Sequence, residues 1–414
     1  MDKIKLFAPL LGRMGWLGSS EMVIRLTRIV TVVSMAYYLS PAQFAVAATA
    51  LVCFEMTRVV GQSGIGAKLI AVADEDLPRF NTAGFRLNFA VNLALALCVV
   101  GLAKPLEVLF GLSELAKLLW CFVPVFLLLP TVTIKVINTQ RAQDMRRVAL
   151  FTGAMVSVEN LTIPVALLCG AGVYSVAIAK LIAVMVWVIC WTRQDRVVPY
   201  ARCSAEDVRH LISFAGTVMV TESVKALRGH ADVLLAGVVL NPTQLGFYTF
   251  AKNAGVGLSL SLVNAAGTVI YPWMSRAKEN APSRVLVLVP VALTGLLVLL
   301  FALQAVASLW YVPWLFDDTW HDADLYVAIA CLSAVPRSVV DVRGLYLRAL
   351  DSPASEFALH ARNTLIFLAC LMFLIFTLDA SSAFLFSVCL TLSHMLALSG
   401  WFEFPHVIGV NYGR

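Results

Sequence analysis

Ten ionisable residues lie in runs otherwise apolar enough to dissolve in lipid: Glu21, Arg25, Arg28, Glu55, Arg58, Glu222, Lys225, Arg228, Asp232 and Lys252. A charge at the bilayer centre costs roughly 2.5–3.5 kcal/mol even on the lenient insertion scale, so such residues have a partner or a task. At 100° per residue, Glu21, Arg25 and Arg28 fall at about 0°, 40° and −20°, one narrow helical face. Six of the ten are cations and four are anions, which leaves a surplus of two positive charges. An unpaired buried charge costs several kcal/mol unless water or a counter-ion meets it. The pattern suits a hydrated cationic cavity that receives an anion, and Arg favours phosphate through its forked donors. The competing reading is a paired scaffold. By helical rise, Arg25 lies near the depth of Glu55, Glu21 near Arg58 and Asp232 near Lys252. Glu159 and Lys180 match across the turn at 170–172 and read as structural.

Holding such residues requires helices that cross a membrane. The chain has 414 residues, 60% hydrophobic and 14% charged, with a mean hydropathy of +0.84. Soluble domains carry about 25% charged residues. The composition is that of an all-α, polytopic membrane protein. A bilayer core of about 30 Å needs roughly 20 apolar residues per helix. About twelve spans are expected, near 14–39, 42–61, 82–103, 115–135, 148–169, 173–192, 210–240, 246–271, 285–309, 323–343, 357–378 and 383–402. The seventh is long enough to need a tilt or a kink, with Gly229 in "RGHAD" the expected place. Pro124, Pro130, Pro164, Pro290 and Pro336 predict further kinks.

An even count puts both termini on one side. Lys and Arg crowd that side, in "RAQDMRR" at 141–147 and at Arg193, Arg196, Arg202 and Arg209, against Lys104 and Lys117 opposite. Both termini are therefore expected in the cytoplasm. The net charge of +6 follows from orientation and gives no reason to expect nucleic acid. The short basic start (Lys3, Lys5, Arg13) leads into a span with no small-residue cleavage site, so no cleavable signal is expected. The nine cysteines are scattered without a CxxC pair and read as small hydrophobes, neither disulfides nor metal ligands. No loop could house a soluble catalytic domain, and an enzyme is not expected. The longest cytoplasmic loop, 193–209, reads as the joint between two halves, 1–200 and 201–414.

The halves resemble each other. "LSPAQF" at 39–44 recurs as "LNPTQL" at 240–245, Glu21 as Glu222, and Arg25 and Arg28 as Lys225 and Arg228. Duplicated halves around a central site are a common transporter plan. Asn88, Asn92, Asn253, Asn264 and His394 could touch a polar cargo, but such residues more often join helices by hydrogen bonds. Trp310, Trp314 and Trp320 in "LWYVPWLFDDTWHDADLY" read as an interfacial aromatic belt, and His321 beside Asp317 and Asp324 lacks a metal-ligand pattern.

"YYLSPAQF" and "GQSGIGAKLI" resemble the first half of the bacterial polysaccharide flippases (Wzx-type) of the multidrug/oligosaccharidyl-lipid/polysaccharide exporter superfamily. "ADVLLAGVVLNPTQLGFYTFAKN" and "VIYPWMSR" resemble the second half, through Asp232, Gly237, Gly246, Tyr248, Ala251 and Pro272. At the first turn Tyr37 and Tyr38 precede the motif and Phe44 and Ala45 follow it, where the family often has an Arg before and Tyr-Gly after. The resemblance implies two pseudo-symmetric six-helix bundles around a central cavity lined by helices 1, 2, 7 and 8. It also implies a cargo, an oligosaccharide repeat unit on undecaprenyl diphosphate, carried across the bacterial inner membrane by alternating access for exopolysaccharide, O-antigen or capsule. On that reading Arg25, Arg28, Arg58, Lys225, Arg228 and Lys252 replace water around the diphosphate. Glu21, Glu55, Glu222 and Asp232 pair with them or couple to H+ or Na+. No other cofactor is implied; a polysaccharide polymerase and export machinery are the implied partners. Three alternatives remain. A drug exporter of the superfamily mostly expels cations, and a lipid II flippase usually has two more helices. A membrane glycan polymerase or ligase needs a sizeable outward loop.

Overall fold

A computed structural model describes residues 23–24, 26–62, 65–142, 144–193, 198–256, 283–316, 318–320, 323–349, 353–378 and 382–398. Glu21, Arg25, Asn264, Asp317, His321 and "VIYPWMSR" lie outside them, as do the side chains of Glu222 and Lys225.

The described residues form helices joined by short turns. The first is α1 (26–38), followed by α2 (Pro41–Gln62), α3 (Ile65–Ala71), α4 (Leu77–Phe110), α5 (Leu115–Leu128), α6 (Pro130–Arg141), α7 (Met145–Leu168), α8 (Ser175–Thr192) and α9 (Ala205–Val239). Then come α10 (Pro242–Ala251), α11 (Ser283–Leu315), α12 (Ala323–Ala349), α13 (Pro353–Thr377) and α14 (Ala383–Leu398). Within the described residues each expected span overlaps a helix. Among the described residues seven helices are long and apolar enough to cross a membrane, or eight if α5 and α6 are one bent span, so length and hydropathy alone do not reach twelve.

Of the expected kinks, one is a true break. Helices α5 and α6 meet at 52°, with Pro130 opening α6 where it needs no donor. Pro124, Pro164, Pro290 and Pro336 stay inside continuous helices. Helix α9 is likewise unbroken at Gly229. Its extra length has another use: Leu211 and Ala215, near its start, pack with Ile65, Leu69, Phe80, Ala83 and Ile134 in a core at the basic-loop end. The short α3, which apolar periodicity did not announce, supplies part of that core.

By contacts the chain divides into two compact units, Met1–Val238 and Val239–Arg414. In this division α9 falls almost wholly in the first unit. Besides the packing of Leu211 and Ala215, the loop before α9 is strapped to α4. Asn81 Nδ2 donates to the Pro199 carbonyl (3.0 Å), Thr82 Oγ1 to the Ala201 carbonyl (2.7 Å) and the Ala201 N–H to the Pro78 carbonyl (3.2 Å). Ser204 then caps α9: its N–H donates to Asp207 Oδ2 at 2.8 Å, and the Asp207 N–H donates to Ser204 Oγ at 3.1 Å. The Ser204 N–H, then burial in the opposite sense, then the hydroxyl and Arg79 act on Asp207, and its carboxyl is held below its ordinary value.

The repeated motif builds the same knot twice. Ser40 precedes Pro41 at the head of α2; its N–H donates to Gln43 Oε1 (3.1 Å) and its Oγ accepts from the Gln43 N–H (3.4 Å). Asn241 precedes Pro242 at the head of α10, and its Oδ1 accepts from the Gln244 N–H at 2.9 Å. Both are N-caps with proline at the first helical position.

In the second unit, α10 runs into a π-helical turn, Lys252–Val256. Such turns free backbone carbonyls, which hydrocarbon cannot satisfy. Gln304 on α11 satisfies them, donating to the carbonyls of Ala254 (3.3 Å) and Gly255 (3.2 Å). Gly255 lies so close to α12 that a Cβ would meet the Val327 carbonyl at 3.1 Å. Trp320 departs from the expected belt: it is buried against Phe250 (4.5 Å), whereas Trp310 and Trp314 are exposed.

Candidate functional site

In the first unit, four of the membrane-embedded charges form a chain across α2, α7 and α8. Arg58 donates through Nε (2.8 Å) and Nη2 (2.7 Å) to Glu55 Oε2, one turn away on α2. Lys180 on α8 bridges two carboxylates, Glu55 Oε1 at 3.2 Å and Glu159 Oε1 at 2.7 Å on α7. Its ammonium also lies 5.0 Å from the centre of the Phe54 ring. The Glu159–Lys180 pair is thus formed as expected, but Lys180 also recruits Glu55.

Arg28 stands at the edge of this chain. It is within Coulombic range of Glu159 and Glu55, yet among the described residues no carboxylate comes within 4.0 Å of it. Its side chain is exposed. Three hydrogen bonds fix its height. Asn160 Nδ2 on α7 donates to Thr27 Oγ1 (3.0 Å) and to the Ile24 carbonyl (3.3 Å), and Thr31 Oγ1 donates to the Asn160 carbonyl (2.7 Å). Because Asn160 follows Glu159, the bonds that dock α1 on α7 also bring Arg28 beside Glu159. Arg28, Arg58 and Lys180 against Glu55 and Glu159 leave one net positive charge.

Arg228 and Asp232 are buried one turn apart on α9, and both have polar or electrostatic partners. Lys252 opens the π-helical turn of the second unit and is also engaged. Of the polar residues, Asn92 and His394 make contacts between helices, and Asn253 bonds within its own turn. Asn92 Nδ2 donates to Asn88 Oδ1 (2.9 Å) and the Gly61 carbonyl (3.5 Å), Asn253 Nδ2 to the Thr249 carbonyl (2.9 Å), and His394 stacks on Phe367 at 4.1 Å.

Sequence reasoning missed a second polar cluster, in the second unit. Arg337 Nε faces Asp341 Oδ2 at 4.0 Å on α12, and His360 Nε2 faces Glu356 Oε1 at 3.9 Å on α13. The two helices meet so closely that a Cβ on Gly344 would fall 2.5 Å from His360 Nε2. Both pairs are spaced i, i+4 in apolar runs, which was the available signal.

Comparison with known proteins agrees with this architecture. Residues 34–324 match the family described as "Polysaccharide biosynthesis protein". The succinoglycan biosynthesis transport protein ExoT of Rhizobium meliloti (strain 1021) is 22% identical over 309 residues, 74% of this chain. The match spans 62% of that relative's length. Among solved structures, the lipid II flippase MurJ in an inward closed conformation superposes with a TM-score of 0.77 at 14% identity, covering 94% of this chain and 87% of that one. An inward-facing multidrug resistance MATE family transporter of the MOP superfamily gives 0.74 at 11% identity, covering 96% and 99%. The fold is that of MOP-superfamily transporters, and the chain belongs to the polysaccharide biosynthesis protein family.

Proposed function

We propose that this protein is a flippase for oligosaccharide repeat units on undecaprenyl diphosphate, working by alternating access in a bacterial inner membrane with both termini cytoplasmic. The observation that carries the reading is Arg28. It lies twelve residues from the Ser40 cap, about 18 Å along the helix, and so near mid-bilayer. Facing lipid there, a guanidinium would cost roughly 2.5–3.5 kcal/mol. Water on that face removes the cost and leaves a forked donor for a phosphoryl oxygen. Among the described residues Arg58, Lys180, Glu55 and Glu159 neutralise one another, so Arg28 is the charge left over for an anionic visitor.

The other proposed diphosphate contacts are Arg25, Arg58, Lys225, Arg228 and Lys252, with Glu21, Glu55, Glu222 and Asp232 pairing with them or coupling H+ or Na+. The succinoglycan transport relative supports a glycan cargo, and the surplus positive charge argues against a cationic drug. A polymerase and export machinery would take the flipped unit. The test is complementation of a strain lacking its own flippase, reading surface polysaccharide and the lipid-linked glycan that accumulates. Arg28→Ala should cut export about tenfold or more at unchanged protein abundance, the loss of one charge-assisted contact, and Arg28→Lys should keep part of it. Full export by both Arg28→Ala and Arg228→Ala overturns the reading.

A further inference from the structure

The first unit holds a cavity of about 340 Å³ that the charge chain does not reach. It opens where α6, the head of α4, the end of α8 and the strapped loop meet. Its polar wall is Asp74, Lys135, Asn138, Thr139 and Arg141, with Trp191 behind. Trp191 is eleven residues along α8 from Lys180, about 16 Å by helical rise, so the two sites are separate. The volume is in the range of small-molecule clefts, about 300–1,000 Å³.

Most of the polar wall is already committed. Arg141 Nη1 donates to the carbonyls of Leu69 (2.8 Å), Ile70 (3.1 Å) and Val72 (2.6 Å), and Nη2 pairs with Asp74. Asn138 Nδ2 donates to Asn81 Oδ1 and the Ile134 carbonyl, both at 2.9 Å. Thr139 Oγ1 donates to the Lys135 carbonyl at 2.8 Å. Lys135 differs. Its half-buried ammonium donates to the Trp191 carbonyl at 3.3 Å, and among the described residues no carboxylate lies within 4.0 Å. Arg141 and Asp74 cancel, so the cavity carries one net positive charge with ammonium N–H groups to spare.

Depth narrows the occupant. Trp191 lies buried in the last turn of α8, whose 18 residues rise about 27 Å, close to the thickness of the hydrocarbon core, so this end of the helix reaches the interface. This is also the end bearing the basic loops, and basic pockets between helices on that side suit acidic phospholipid headgroups. We propose that this cavity holds the phosphate of an anionic phospholipid headgroup from the basic-loop leaflet, with the Lys135 ammonium as its anchoring charge.

The experiment is thermal unfolding of the purified full chain with dioctanoyl phosphatidylglycerol, dioctanoyl phosphatidylcholine or inorganic phosphate. Phosphatidylglycerol at about a hundredfold excess over Kd should raise Tm by about 3–5 °C, and phosphatidylcholine should not. Lys135→Gln should weaken the response about tenfold or more, and Lys135→Arg should keep it. Arg202→Gln, on the exposed loop, should leave it unchanged. A second probe is Ala142→Glu, which sets a negative charge on the lining and should abolish the response even if Lys135→Gln does not accumulate. A Lys135-dependent shift with inorganic phosphate alone supports the phosphate site and assigns it a soluble source. Equal shifts with the two lipids, or a full phosphatidylglycerol response in Lys135→Gln, overturn the proposal.

Discussion

Lys180→Met tests whether the charge chain is a structural unit. The ammonium is 11% exposed and bridges Glu159, 14% exposed, and Glu55, 29% exposed, at 2.7 and 3.2 Å. Removing one member of a buried pair costs about 3–5 kcal/mol, because the remaining charge is stranded. The lower end applies here. Glu55 keeps Arg58 at 2.7 Å, so Glu159 bears most of the loss. Losing the contact with the Phe54 ring adds about 0.5–1 kcal/mol. A total near 3–4 kcal/mol, at roughly 1–2 °C per kcal/mol for a chain this long, lowers Tm by about 3–8 °C in thermal unfolding of the detergent-purified protein. Adding Glu159→Gln removes the stranded carboxylate, and the double variant should recover about 1–2 kcal/mol relative to additivity. If Lys180→Met melts within a degree of wild type, or the double variant is no better than additive, the chain is not the coupled unit its geometry describes.

Asn241→Ala should cost about 1 kcal/mol through loss of the α10 cap, and Asn241→Ser should restore most of it, both read by Tm. Gly344→Ala sets a Cβ 2.5 Å from His360 Nε2, and the buried ring has little room to yield, so about 1–3 kcal/mol of destabilisation is expected in the same assay. Asp207 has a folded pKa below its ordinary 3.8, so its contribution is full above that value and is lost as pH falls through the lower, folded one. Hydrogen exchange over 198–208 should therefore quicken in strong acid relative to neighbouring helices, and Asp207→Asn should show the same loosening at pH 7.

Helices and their order were legible because lipid demands long apolar runs, and the caps were legible because Ser-Pro and Asn-Pro are local signals. Glu159 and Lys180 could be paired from helical rise alone, since a short turn joins their helices. Recruitment of Glu55 by the same lysine could not. It depends on how α2 packs against α8, which no local rule carries. The loop at 193–209 reads as a joint by composition, whereas its bonds to Asn81 and Thr82 and the packing of Leu211 and Ala215, which tie the start of α9 to the first unit, depend on the fold. Arg337, Asp341, Glu356 and His360 lie where neither repeat nor motif drew attention, although their spacing was in view.

The strapped loop has a practical corollary for anyone dividing the gene. Severing the polypeptide within 198–207 would part α9 from the loop that holds its start against α4, and from the unit with which it packs. A nick near 240 respects the boundary at which packing changes hands, and fragments made there are the ones to co-express for reassembly.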